Sequence, residues 1–157
     1  MITADGIRKN IPGRGADDMT FYEYKTRSSQ PGWRFQKVIE DSYENVSYIH
    51  PLKQKIVSEI VKKAKEDKYV RSLRIFGSSV SNRCDFQSDL DLCIDWKIDC
   101  YDKDGVLVPE TVAFLSEVSR LTEGHCDVVH LGYLNGTVVK EDAEKGVIVY
   151  VSDAESE

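Results

Sequence analysis

The stretch Asp89-Leu90-Asp91-Leu92-Cys93-Ile94-Asp95-Trp96 alternates polar and apolar residues with a period of two. That alternation restricts the chain to folds in which a strand carries one apolar and one polar face. Leu90, Leu92, Ile94 and Trp96 share the side that must turn to a core, while Asp89, Asp91, Cys93 and Asp95 share the other. Carboxylates two apart on one strand face repel, so Asp89 and Asp91 cost the fold stability unless a cation neutralises them.

The surrounding pattern places this strand in an α/β (α+β) domain. Pro51 suits the first turn of a helix, and Leu52, Ile56, Val57, Ile60, Val61 and Ala64 then form one apolar stripe. Ser72–Phe76 reads as a short strand stopped by Gly77, and Ser78–Phe86 as a polar loop with one helical turn. Asp102-Lys103-Asp104-Gly105 reads as a turn from which Val106–Val108 pairs back. Pro109 opens a second helix, with Val112, Leu115, Val118 and Leu121 inward and Gly124 as its stop. Cys126–Leu131 is a third strand, Thr137–Glu144 a last helix and Val147–Val151 a final strand, with Ser152 onward a polar tail. The expected architecture is a small mixed sheet with helices packed on one face and the carboxylates at its open side.

Residues 1–47 read as an extension of the domain at 48–157, with loop signals at Ile11–Asp18 and Ser28–Gly32. Its aromatics, Phe21, Tyr22, Tyr24, Trp33, Phe35 and Tyr43, together with Tyr48, are too costly to leave solvated. They predict short helices docked on the domain or on a partner, with the extreme N-terminus disordered.

The balance of 21 Lys and Arg against 27 Asp and Glu gives a net charge of -6. That argues against nucleic acid as a partner, since phosphate contacts draw on basic residues. The lysines at 53, 55, 62, 63, 65 and 68 are then a solvated face. No apolar run is long enough to span a bilayer and the N-terminus lacks the apolar core of a signal peptide, so a cytoplasmic location without membrane contact is expected. Cys84, Cys93, Cys100 and Cys126 form no C-x-x-C pair, which fits reduced thiols rather than a zinc knuckle.

Ahead of the acidic strand stands Gly77-Ser78, separated from Asp89 by ten residues. A glycine at a strand end lets backbone approach a phosphate, and the N–H groups that follow form an anion site. Mg²⁺ takes one or two protein carboxylates and completes its octahedron with water and phosphate oxygens. Two such ions clamp the attacking and leaving oxygens of an in-line displacement at phosphorus. Glycine cradle and paired carboxylates together therefore point to phosphoryl-type transfer.

Gly-Ser, ten residues, then Asp-x-Asp resembles the signature of the minimal nucleotidyltransferases of the DNA polymerase β-like superfamily. The resemblance covers residues 50–151 in element order. It implies the nucleotidyltransferase fold and a third carboxylate on a later strand, matched here by Asp127. It makes Asp89, Asp91 and Asp127 the catalytic and metal-binding residues, with Asp127 also activating the acceptor hydroxyl. Gly77, Ser78, Ser88 and Arg83 become the nucleotide-binding residues. Mg²⁺, two ions or Mn²⁺ in its place, is the implied cofactor, and a nucleoside triphosphate, ATP, the donor. Where the family often has an arginine and a glycine in the loop, this chain has Ser81 and Asn82, with Arg83 next. The chain looks like single-domain members that act as antitoxins with a HEPN-domain toxin partner. It is also similar to the catalytic domain of aminoglycoside nucleotidyltransferases, which carry a further helical domain. The expected activity is transfer of AMP to a hydroxyl of a protein or small molecule. The alternative is a catalytically inactive protein of the same fold that masks a partner.

Other acidic and histidine positions have blander readings. Asp102-Lys103-Asp104-Gly105 fails as a calcium loop because Cys100 and Thr111 would hold the first and last ligand places. Asp95 reads as a surface charge, His130 as structural and His50 as a neighbour of a helix cap, while His125 is left open.

Overall fold

The computed structural model describes residues 20–30, 32–40, 42–134 and 138–153. The expected loop at 11–18 lies outside them, as do the side chains of Phe21 and Tyr24. Four helices are described: α1 (Phe21–Arg27), α2 (Pro51–Glu66), α3 (Pro109–Thr122) and α4 (Val138–Glu144). The strands are β1 (Val70–Phe76), β2 (Leu90–Trp96), β3 (Cys126–His130) and β4 (Val147–Val151). They form one mixed sheet in the order β3-β2-β1-β4. β1 runs antiparallel to β2 and to β4, and β2 runs parallel to β3 through the α3 crossover. The fold is thus mixed α+β, and among the described residues no helix is long and apolar enough to cross a membrane.

The apolar face of β2 is the one its alternation requires. Leu90, Leu92, Ile94 and Trp96 pack with Leu73 and Ile75 of β1 against Val57, Ile60, Val61 and Ala64 of α2 and Phe114 and Val118 of α3. Trp96 meets Phe114 edge-on at 6.1 Å and donates from Nε1 to His130 Nδ1 at 2.9 Å, which accounts for His130 as a structural residue. The expected stripe on α3 is rotated. Val112 is exposed, while Thr111, Phe114, Val118 and Thr122 are buried. Both threonines enter because their hydroxyls donate to the carbonyls of Val108 and Val118, each at 2.8 Å.

The helices do not all share that face. Phe76, Cys93 and Ala143 form a second cluster with Val129, Leu131 and Leu134. Ala143 belongs to α4, and the Arg74 Nη1 donates to the Glu144 carbonyl at 2.7 Å, so α4 lies on the same side as Asp89 and Asp91. The expectation of helices on one face holds for α2 and α3 and fails for α4. At the far end, Ser152 is buried and donates to the Arg71 carbonyl, so the polar tail begins after it. The Asp102 turn forms as expected, its Oδ1 accepting from Asp104 and Val106 at 2.8 and 3.0 Å, but the return amounts to a single bridge, Tyr101 to Leu107.

The segment before α2 packs differently from expectation. α1 is closed by a reciprocal capping box, Thr20 with Glu23, at 3.0 and 3.1 Å. Residues 33–39 form neither helix nor strand. They are held by Gln54, a fully buried polar residue on α2 that apolar periodicity passes over. Its Nε2 donates to the carbonyls of Gln36 and Ile49, both at 2.9 Å, and its Oε1 accepts from the Val38 amide at 2.9 Å. Phe35 is buried beside His50, their rings 5.2 Å apart. His50 is itself the N-cap of α2, its Nδ1 accepting from Leu52 N at 3.1 Å. Burial, with Lys53 nearby, pushes its pKa down to about 4, so the ring stays neutral and keeps that lone pair.

Gln54→Leu takes the side-chain partner from three backbone groups, of which the Ile49 carbonyl is buried. It is expected to lower stability by about 2–4 kcal/mol and to expose 33–39 to proteolysis. Urea denaturation with limited digestion checks both. A loss below about 1 kcal/mol would mean that the segment is not held through Gln54.

Candidate active site

β1 ends at Phe76, and Gly77 turns the chain into a single 3₁₀ turn, Gly77–Val80. The turn needs φ +76° at Gly77, a conformation that glycine adopts without strain. It also needs space. A Cβ on Gly77 would fall on the Asp91 carboxylate, well inside contact distance. The glycine therefore sits directly against an acidic side chain.

Strand register gathers the carboxylates. Phe76 stands opposite Asp91 in the antiparallel β1–β2 pair, and Asp91 stands opposite Asp127 in the parallel β2–β3 pair. Adjacent strands lie about 4.8 Å apart, so the side chains of an in-register pair project as neighbours. Asp89 lies two residues earlier, immediately ahead of β2. Asp91 is half-buried, whereas Asp89 and Asp127 are exposed.

The electrostatics record this crowding. The pKa of Asp91 is raised, first by burial and then by the charges of Asp127 and Asp89, all acting in one direction. Cys126 feels the same field from the far side of β3. Burial, then Asp127, Asp91 and Asp89, push its thiol up to about 12. It is an inert thiol, and three of the four cysteines are buried and none is in a disulfide.

The remaining candidates take varied positions. Ser78 is half-buried in the turn, its carbonyl accepting from Ser81 N at 3.0 Å. The next residue, Ser79, is fully buried with no hydrogen-bond partner for its hydroxyl. Ser88 and Arg83 make their described side-chain hydrogen bonds within the loop, while the Ser88 carbonyl accepts from Lys53 of α2. Ser88 Oγ donates to Asp85 Oδ1 at 3.1 Å and accepts from Asp85 N at 3.0 Å, and Arg83 is exposed with Nε 3.4 Å from Ser81 Oγ. Asp95 pairs with Arg71 at 3.5 Å, away from this group in role as well as in position along β2. Sequence patterning missed one neighbour: His125 Nδ1 lies 3.4 Å from Asp89 Oδ1. The only signal was its place just before β3.

The donor chemistry suits a hard cation. All three acidic side chains offer oxygen, but among the described residues no group of three or more His, Cys, Asp or Glu side chains is arranged to hold a metal ion by itself. A closed shell is what a structural zinc site needs. An octahedral magnesium site needs only one or two carboxylates, with water and substrate completing it. The arrangement defines a class: a mixed α+β protein with an acidic cluster in register beside a glycine-led turn. No protein-family profile matches the chain, and no curated protein matches it.

Proposed function

We propose that the protein is a metal-dependent nucleotidyltransferase of the minimal, DNA polymerase β-like kind, moving AMP from ATP to a hydroxyl. The observation that carries this is the register of Asp91 opposite Asp127, with Gly77 packed against the Asp91 carboxylate. Three like charges held together oppose folding, and the pKa of Asp91 is raised by burial first and by the charges of Asp127 and Asp89 after it. The arrangement makes physical sense where a cation and a polyphosphate are part of the working site.

In this reading the N–H groups of Gly77–Val80 receive the triphosphate, as a helical N-terminus receives an anion. Asp89, Asp91 and Asp127 are the residues that would offer oxygens to Mg²⁺, which would supply neutralising charge on the phosphate oxygens. The acceptor oxygen bonds to the α-phosphorus and the bond from that phosphorus to the bridging oxygen breaks. Pyrophosphate leaves, and the hydroxyl proton passes to the Asp127 carboxylate. Such transfer rests on positioning and charge neutralisation more than on covalent participation by the protein. The likeness to antitoxins adds a HEPN-domain protein as one source of the hydroxyl.

Incubation with ATP labelled at the α-phosphate tests the activity. Release of unlabelled pyrophosphate, with label retained on AMP or an acceptor, is expected for the native chain with Mg²⁺. Asp89→Asn should lower it on the order of 10²–10³-fold. Equal, zero turnover from both proteins, with unchanged partner binding, would favour a masking protein over an enzyme.

A further inference from the structure

The loop between the glycine turn and the acidic strand is tied at both ends to one place, the start of α2. Near the loop's beginning, the Ser79 carbonyl accepts from the His50 amide at 2.8 Å. At its end, the Ser88 carbonyl accepts from the Lys53 ammonium at 2.5 Å. His50 and Lys53 are themselves joined, the Lys53 amide donating to the His50 carbonyl at 2.8 Å. The other hydrogen bonds described for residues 79–88 run within the loop or to Ser78.

The support is rigid. His50 caps α2, Pro51 opens it, and buried Gln54, Val57 and Ile60 fix the helix in place. The beginning of the loop is equally fixed, since Ser79 is fully buried and Val80 packs against the main core. The end of the loop lacks such packing, because Asp85, Phe86 and Gln87 are exposed. Asp89 follows directly. Leu90, buried in the core, holds one side of it, and the Lys53 bond to Ser88 holds the other.

Lys53 departs from the expectation of a solvated lysine face. Lys62 and Lys63 lie near Glu59 and Glu66 on their own helix. Lys53 instead turns to a neutral carbonyl on another element. Ordering a lysine side chain costs rotamer freedom, and a charge-assisted bond is strong enough to offset that cost.

We infer that Lys53 is a positioning residue: by holding Ser88 against the start of α2, it sets the spacing between the phosphate-binding turn at Gly77 and the Asp89 carboxylate. The inference rests on the nucleotidyltransferase reading, in which one nucleotide with its cation must meet both. Lys53 touches neither of them and acts through Ser88 and Asp89.

The test uses the full chain and titrates a non-hydrolysable ATP analogue with and without Mg²⁺ while the amides of Gly77 and Ser78 are followed. On the native chain Mg²⁺ is expected to tighten the analogue on the order of 100-fold, because turn and carboxylates then share one ligand. Lys53→Met keeps the apolar stem and loses the donor. It should leave the metal-free affinity within about twofold and cut the Mg²⁺ tightening at least about tenfold. Lys53→Arg, which keeps a cationic donor, should recover most of the tightening. Lys53→Gln, shorter and uncharged, should behave as Lys53→Met and carries the test if that variant does not fold. A lysine that served stability alone would lower the melting temperature on substitution and leave the tightening unchanged, since both titrations read folded protein. Unchanged tightening in the Met and Gln variants, a loss that Lys53→Arg does not restore, or an equal loss of metal-free affinity overturns the positioning role alone. Mg²⁺ that fails to tighten the analogue on the native chain overturns the nucleotidyltransferase reading, and this inference with it.

Discussion

Asp91→Asn is expected to abolish transfer and at the same time to make the metal-free protein more stable. The two effects share a cause. Asp91 is half-buried between Asp89 and Asp127, and both burial and like charge raise its pKa. Over the pH range between its unfolded and folded values, the folded chain therefore holds a proton that the unfolded chain has lost. Stability falls as pH rises through that range, and the loss is complete above the folded value. Asparagine has the same shape and no charge, so the variant lacks that slope. At neutral pH without metal it should melt about 2–4 °C higher, the shift that 1 kcal/mol makes in a domain of this size. Mg²⁺ with a nucleotide should reverse the order by stabilising only the native site. Transfer should fall on the order of 10³-fold, as a metal ligand and a neutralising contact are lost together. Melting curves at pH 4, 6 and 8, with and without Mg²⁺, check the stability half. A variant that melts lower at every pH would make Asp91 a structural residue.

Gly77→Ala should produce a comparable loss of transfer by a different route. The backbone at Gly77 has φ +76°, where a side chain costs roughly 1–2 kcal/mol. The added Cβ also falls on the Asp91 carboxylate, which must swing away from Asp127 and from any bound cation. Stability is expected to drop by about 2–3 kcal/mol, the strain and the clash together. The double variant Gly77→Ala with Asp91→Ala separates them, because removing the carboxylate removes the clash and leaves only the strain. The combined loss should be smaller than the sum of the single effects by about 1 kcal/mol or more. Additivity within about 0.5 kcal/mol would mean that the glycine and the carboxylate are not in contact.

The strands were legible because each carries a signal within its own few residues. Alternation marks β2 and an apolar run bounded by Gly146 marks β4, whose limits Val147–Val151 match the expectation. Prolines at the first turns set the starts of α2 and α3. What sequence patterning could not supply was partnership between distant residues. The pairing of Asp91 with Asp127 depends on how α3 returns the chain to the sheet, and no local feature encodes that register. The resemblance to a known signature pointed to Asp127, and the sheet then placed it opposite Asp91. Gln54 was hidden because burial of an amide follows from three backbone groups elsewhere, not from its own polarity. Phe114 was passed over for the aliphatic residues around it, although the Trp96 ring gives it the better seat. The placement of α4 on the second face turns on Ala143 fitting over Cys93 and Phe76, a packing matter that a seven-residue helix scarcely advertises.

Manganese offers the most direct view of whether the acidic cluster is a metal site. Mn²⁺ added at substoichiometric levels with a non-hydrolysable ATP analogue should broaden the amides of Gly77, Ser78, Asp89–Asp91 and Asp127 first, and Asp91→Asn should weaken that broadening. Broadening that centres on another acidic patch, or that Asp91→Asn leaves unchanged, would contradict a shared metal and phosphate site at these residues.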